Sequence, residues 1–345
     1  MKYRQYLLNL FVVVALVAVV VFMYETKYDT VDIYTAVQKT VSELGENQEI
    51  LIFDSKNPFN FYDVFHNLDK ISDQEVYGVL TYPDEKKEKY PVVMGVAGSL
   101  GWSSHHYEKM QMYLDMGIAV FALHSFKSRG VTSTVGEQVS ATLPMIINDA
   151  YMALAALSSK PNIDIEKVAI TGWSLGGGVS LFSAWKPIKD AVSPDYKFAA
   201  HLPFYPPCFI EPQDMRFTDA PIHILIGELD DWVPAEPCIE LTSSLQELGY
   251  DIDITAYPES HHSFDRDSEL RTIDHAYSLT DCRLIVDDSG VVKTKDYGFP
   301  LSNSTLQKIG LAFCAERGAT IGGNDYARRA SKVFAREFMA KHLLR

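Results

Sequence analysis

Along most of the chain, short apolar runs with period-two or continuous hydrophobic character alternate with longer stretches of helical spacing. From Val76 onward the order is regular. GVLTYP reads as a strand, DEKKEK as a charged turn and YPVVMGV as a β-branched strand followed by the polar loop GSLGWSSHH. Helical spacing over Tyr107–Met116 stops at Gly117, and IAVFAL is the next apolar run. A helix through Ile146–Leu157 precedes the strand VAITG. HLPFY, HILIG and DITAY continue the series, with a helix over Ile239–Leu248 before the last of them and an amphipathic helix over Tyr326–Leu344 at the end. Strands alternating with helices in this way predict an α/β fold: a mostly parallel central sheet with helices on both faces. Such sheets carry their sites in the loops after the strands' carboxyl ends.

The first residues break the pattern. Tyr6–Met23 contains only Asn9 as a clearly polar residue, and its eighteen residues would span about 27 Å as a helix, close to the hydrocarbon thickness of a bilayer. Lys2 and Arg4 precede it and Glu25, Asp29 and Asp32 follow, so the positive-inside rule keeps residues 1–5 cytoplasmic and exports the rest to the periplasmic or extracellular side. No A-x-A cleavage site follows the apolar run, which favours an uncleaved signal anchor over residues 6–24, a transmembrane helix in contact with the lipid bilayer; a cleaved signal peptide and a buried helix are the alternatives. Residues 25–75, with weak helical periodicity at Ile33–Leu44, read as a stalk and N-terminal addition. Residues 76–345 read as the catalytic domain, with a hairpin-containing insertion at 279–322.

Chemistry gathers at the predicted strand ends. In ITGWSLGGG, Ser174 falls between the strand VAITG and a helix starting near Gly177, the context of a nucleophile elbow. A hydroxyl needs a base, and the loop after DITAY, PESHHSFD, contains His261 and His262. The position two before Phe264 favours His262. A carboxylate must orient that base; ELDDWVP after HILIG offers Asp230 and Asp231, and the G-x-x-D spacing from Gly227 favours Asp230, leaving Asp231 as a solvated neighbour or a helix cap. The order Ser174, Asp230, His262 is the chain order of an α/β-hydrolase. Oxyanion donors are expected at the backbone N–H of Leu175 and of Ser99, with Leu100 as second choice for the latter.

These residues resemble the dienelactone hydrolase family of the α/β-hydrolase superfamily. The phrases that carry the resemblance are GVLTYP, YPVVMGVAGSLG, FALHSFKSRGV, PNIDIEKVAITGWSLGG, FYPPC, HILIGELDDWVPAEPC and YPESHHSF, spanning roughly Val76–Asp265. The resemblance implies a hydrolase of small-molecule esters or lactones that needs no cofactor. Two departures stand out. The family carries Cys at the elbow where this chain has Ser174, which favours general ester hydrolysis, and the loop that usually reads His-Gly has Ala97 before Gly98. Trp102, Trp173 and Trp232 flank the catalytic loops as candidate pocket walls or as packing beneath them. Arg129 is a candidate for binding a substrate carboxylate or for holding its own loop. A peptidase or acyltransferase on the same scaffold, or a catalytically silent binding protein, are the competing functions.

Composition narrows the rest. The net charge of −14, from 31 Lys and Arg against 45 Asp and Glu, argues against a nucleic-acid partner. The four cysteines lack C-x-x-C spacing, which argues against zinc, and no HExxH occurs. In an oxidising compartment they can pair; four buried thiols are the alternative. Cys208 and Cys238 follow HLPFY and HILIG, whose ends share one rim of a parallel sheet, and Cys282 and Cys314 bracket the hairpin RLIVDDSGVVKTK. Topology therefore predicts Cys208–Cys238 and Cys282–Cys314.

Overall fold

The computed structural model describes residues 32–345. Its first elements are helix α1 (Ile33–Val41), strand β1 (Gln48–Lys56), helix α2 (Phe61–His66) and strand β2 (Asp73–Thr81). Then come β3 (Tyr90–Val96), α3 (Ser104–Asp115), β4 (Ala119–Leu123), α4 (Leu143–Ser158), β5 (Ile163–Trp173) and α5 (Leu175–Phe182). After α6 (Lys186–Val192), β6 (His201–Phe204), β7 (Ile210–Pro212) and β8 (Ile222–Gly227), the helix α7 (Ala235–Glu247) leads into β9 (Ile252–Tyr257). The remainder is β10 (Arg271–Ser278), β11 (Leu284–Val286), β12 (Val292–Thr294), α8 (Ser304–Leu311), β13 (Glu316–Ile321) and α9 (Asp325–Leu343).

An eight-stranded sheet in the order β1-β2-β4-β3-β5-β6-β8-β9 organises the fold. The pairs β1–β2 and β2–β4 are antiparallel, and every pair from β4 through β3, β5, β6 and β8 to β9 is parallel. All seven residues of β3 are buried, as a central strand covered by helices on both faces requires. This is the α/β-hydrolase type of fold.

Two expectations need correction. The transmembrane helix expected over residues 6–24 lies outside the described residues, and among the described residues no helix is long and apolar enough to cross a membrane; the fold class is therefore stated without one. Second, part of the segment read as stalk belongs to the sheet. β1 pairs with β2 over its full length and is tied inward by a buried polar cluster: Ser55 Oγ donates to Asp149 Oδ1 of α4 at 2.5 Å and accepts from Asn148 Nδ2 at 2.8 Å. The alternation in QEILIFDSK is weak, because residues 48–52 of an edge strand are only partly covered, and that is why the pattern did not reveal it.

The C-terminal additions form two small sheets. β11 and β12 make a hairpin through the turn Asp287–Gly290, and β11 also pairs parallel with β7. β10 pairs antiparallel with β13. Both disulfides have the expected pairing: Cys208–Cys238 joins the segment after β6 to α7, and Cys282–Cys314 closes the base of the hairpin region, each with Cα atoms 4.9 Å apart.

Candidate active site

Ser174 is the junction between β5 and α5. Its backbone has φ 57° and ψ −115°, a conformation that a side-chain-bearing residue holds only when its surroundings enforce it. The enforcement is steric. A Cβ on Gly172 would lie 2.0 Å from the Gly176 carbonyl oxygen, and one on Gly176 would lie 2.1 Å from the Val96 carbonyl oxygen. Only glycine at both positions lets helix and strands close on the turn, which thrusts Ser174 out at the head of α5, where the helix dipole favours negative charge.

His262 and Asp230 meet Ser174 from the loops after β9 and β8. Ser174 Oγ lies 3.0 Å from His262 Nε2, and His262 Nδ1 lies 2.7 Å from Asp230 Oδ2. Asp230 is held in turn: its Oδ1 accepts from the backbone N–H of Trp232 at 3.0 Å and of Val233 at 2.9 Å. The imidazole packs against Tyr205 and Trp232, with ring centroids 4.7 and 5.0 Å away, so its plane has little freedom. Hydrogen-bonded to a carboxylate at Nδ1, the ring presents Nε2 as the atom able to take a proton from Ser174.

The neighbouring aspartate does other work. Asp231 accepts from the backbone N–H and the hydroxyl of Thr320, both at 2.8 Å, which fastens β13 to the Asp230 loop. It is neither a free solvated group nor a cap on α7, whose N-cap is Pro234. Gly322 N–H donates to the His262 carbonyl at 3.2 Å, so the chain leaving β13 braces the histidine loop as well. Leu175 and Ser99 line the cavity at Ser174, and no hydrogen bond from either backbone N–H occurs among the described residues. Leu100 lines a neighbouring cavity instead.

Of the candidate pocket residues, only Trp232 lines the cavity beside Ser174. Trp173 is 1% exposed and donates from Nε1 to Asp265 Oδ2 at 3.1 Å, so it is packing behind Ser174. Trp102 lines the neighbouring cavity with its Nε1 on the Leu123 carbonyl at 3.1 Å. Arg129 is buried and spent: its guanidinium reaches Asp149 Oδ2 at 2.6 Å and Oδ1 at 2.9 Å, and its Nε reaches Asn57 Oδ1 at 2.7 Å. It cannot present itself to a substrate carboxylate; it ties the chain after β1 to α4.

A buried ion pair behind the histidine escaped the sequence reading. Asp265 is fully buried. It accepts from Lys109 Nζ at 2.5 Å, from Tyr205 Oη at 2.8 Å and from Trp173 Nε1 at 3.1 Å, with His105 Nε2 at 3.9 Å. Burial alone would push this carboxyl up, but the Lys109 ammonium, joined by the His105 and His106 rings once acid protonates them, outweighs it and holds the group well below the usual carboxylate range. Burial brings His105 down to about 4 against the opposing charge of Asp265, and lowers His106 well below the ordinary histidine value. Through Tyr205 the pair fixes one of the two rings that pack on His262. The signal was present in SFD, since Asp265 lies three residues beyond His262, and a lysine on the inner side of α3 is unusual enough to imply a buried partner. Among the described residues no group of three or more His, Cys, Asp or Glu side chains is arranged to hold a metal.

The strand–elbow–helix junction, with Asp230 and His262 delivered from the ends of two further parallel strands, defines the class as an α/β-hydrolase. Residues 76–281, more than half of the sequence, match the dienelactone hydrolase family, and the chain belongs to that family. It is a carboxylic ester hydrolase with dienelactone-hydrolase-like esterase activity. A "Putative carboxymethylenebutenolidase" of Yersinia pestis is 27% identical over 217 residues, covering 60% of this chain and 80% of that protein. Among solved structures, a dienelactone hydrolase-like promiscuous phosphotriesterase from metagenomic libraries is similar with a TM-score of 0.52 at 14% identity, over 86% of this chain and 99% of the other. Thermogutta terrifontis esterase 2 phosphorylated by paraoxon gives a TM-score of 0.52 at 14% identity, over 86% and 94%. At these identities the two structures speak for the fold.

Proposed function

We propose that Ser174 is the nucleophile of a two-step ester hydrolysis, with His262 as general base and acid and Asp230 as its orienting carboxylate. The observation that carries this reading is the continuous chain Ser174 Oγ, His262 Nε2, His262 Nδ1, Asp230 Oδ2, with separations of 3.0 and 2.7 Å at its two hydrogen-bonding steps. As Oγ attacks the ester carbonyl carbon, its proton moves to His262 Nε2 and the carbonyl electrons move to oxygen. The oxyanion is received by the N–H groups of Leu175 and Ser99, where losing one such donor costs about 3 kcal/mol of transition-state stabilisation. Collapse of the tetrahedral species breaks the bond to the leaving alcohol, which takes the proton from His262, and the acyl group remains on Ser174. Water then repeats the sequence, giving its proton to His262 and releasing the acid.

Asp230 holds Nδ1–H and stabilises the imidazolium as it forms. The place of work we propose is an oxidising compartment outside the cytoplasm, a reading supported by the two cysteine pairs at disulfide geometry. A fluorophosphonate probe tests the chemistry directly. It should label the wild-type protein at Ser174 and leave a folded Ser174→Ala protein unlabelled; labelling at another residue would overturn the assignment. Peptide mapping without reductant, on protein from its natural compartment, tests the location: four reduced thiols would contradict it.

A further inference from the structure

We propose that the ester hydrolysed here carries an uncharged hydrocarbon arm of several carbons, received by the cavity that opens beside Ser174. This rests on Ser174 being the nucleophile and goes beyond it by naming the substrate class. The cavity has a volume of about 130 Å³ and begins at Ser174, Leu175 and Ser99, where the reacting carbonyl would sit. One water needs only about 10–15 Å³, so the space accepts a chain and not merely a methyl group.

The lining chooses the chemistry. Phe209, Ile210, Leu284, Val292, Leu301 and Leu311 form much of the wall, and no acidic or basic side chain is among the lining residues. The polar side chains that do reach it are engaged with the protein. Asn60 Nδ2 donates to the Ser302 carbonyl at 2.8 Å, Gln307 Nε2 donates to the Gln138 carbonyl at 2.6 Å, and Thr142 Oγ1 donates to the Pro58 carbonyl at 3.4 Å. A carboxylate entering here would lose its water and find no cation, whereas each buried methylene should raise kcat/KM about fourfold.

Part of the wall comes from outside the family match. Phe59, Phe61, Leu284, Val292, Leu301 and Leu311 all lie outside the residues 76–281 shared with the family. They come from two segments far apart in sequence that lock together over the site. The turn of the β11–β12 hairpin presses on α2 so closely that a Cβ on Gly290 would lie 2.6 Å from the Phe61 carbonyl carbon. His66 Nε2 meets the Ser289 carbonyl at 3.0 Å nearby. The disulfide Cys282–Cys314 closes the base of the same segment. These additions thus complete a wall that the shared core begins with Phe209 and Ile210.

The experiment measures kcat/KM of the full chain on two series. One lengthens the acyl arm (4-nitrophenyl acetate, butanoate, hexanoate, and the hydrogen adipate monoester as the carboxylated mimic). The other lengthens the alcohol arm (methyl, butyl and hexyl acetate, with 6-acetoxyhexanoate as the carboxylated mimic). The expected result is a rise of at least tenfold with length in one series, and a loss of at least 100-fold when that arm ends in a carboxylate. Val292→Phe and Ile210→Phe, checked for folding by circular dichroism, should each lower the long-to-short ratio in that series at least fivefold. Flat profiles in both series, equal use of the carboxylated arm, or an unchanged ratio in both folded variants would overturn the proposal while leaving Ser174 in place. Turnover that survives Ser174→Ala would instead remove the nucleophile reading, and the substrate class with it.

Discussion

On one side of Ser174 stand His262, Asp230 and, behind them, the buried Asp265–Lys109 pair, delivered by loops and helix α3 of the shared core. On the other side lies hydrocarbon, to which α2, the β11–β12 hairpin and α8 add their side chains beside Phe209 and Ile210 of the core. The first region is polar, and each of these groups meets a partner: Asp230 alone receives one ring nitrogen and two backbone donors. The second makes its selectivity from shape and from the lack of charge. The difference follows from tolerance. Proton transfer fails with misplacement on the order of 1 Å, so its groups sit where ladder hydrogen bonds fix the backbone. A hydrocarbon pocket needs only volume and dryness, which short segments joined by a disulfide can provide.

The comparison is broken most severely by Ser174→Ala, which should reduce kcat on short aryl esters by roughly 10⁶-fold with the fold unchanged by circular dichroism. Undiminished turnover would place the chemistry elsewhere. Asp230→Asn should cost about 10⁴-fold, because the amide stabilises the wrong imidazole tautomer, whereas Asp231→Asn should act on stability through Thr320 and spare kcat. A reversal of these two effects in steady-state kinetics would exchange their roles.

The polar side should also respond to pH where the hydrocarbon side cannot. His105 and His201 are both held neutral by burial, with pKa values brought down to about 4. The unfolded chain takes up protons on such rings near pH 6.5 and the folded chain does not. Stability is therefore fully present above about pH 7 and falls, by several kcal/mol in total, as the pH drops toward 4. Asp265, whose carboxyl is depressed, adds a further loss below about pH 4, where the unfolded carboxylate is protonated and the folded one is not. Urea midpoints at pH 7.5, 5.5 and 4 measure this, and a flat profile would contradict the buried neutral state of the rings.

Lys109→Met should destabilise by about 3–5 kcal/mol, since it strands the Asp265 charge in a dry interior. The double variant Lys109→Met with Asp265→Leu should recover part of that loss; recovery of none would argue against the pair as the cause. Smallest is the pair Cys282→Ser and Cys314→Ser, expected to cost about 2–4 kcal/mol in denaturant unfolding. It should also weaken turnover of the longer-armed ester more than that of acetate, because it loosens the wall and leaves the strand ends alone.

Much of this could be read before any coordinates. The elbow glycines, the strand-end positions of Asp230 and His262 and the neighbouring of β6 with β8 all follow from local chemistry and from short parallel connections, which leave few topologies open. The preference for Asp230 over Asp231 and for His262 over His261 rests on spacing alone, and in the structure Asp230 and His262 meet at Ser174 while Asp231 holds Thr320. Less legible was everything that depends on distant segments meeting. β1 hid in a half-covered edge strand, and Arg129 looked available until Asp149 and Asn57 were seen to hold it. Trp173 and Trp102 flank the right loops but face away from the cavity at Ser174.

The sequence by itself therefore determined the alternating α/β architecture, the meeting of Ser174 with His262 and Asp230, and the disulfide pairing, since each is written in spacing, turn chemistry or strand adjacency. Only the tertiary structure decided which aromatic rings pack on His262, that a buried lysine and aspartate stand behind it, and that the walls beside Ser174 are uncharged. Those facts arise where residues tens to hundreds of positions apart come within a few ångströms, as Asn60 does with Ser302. No local pattern records such a meeting, because burial and desolvation belong to the packed chain and not to any one segment of it.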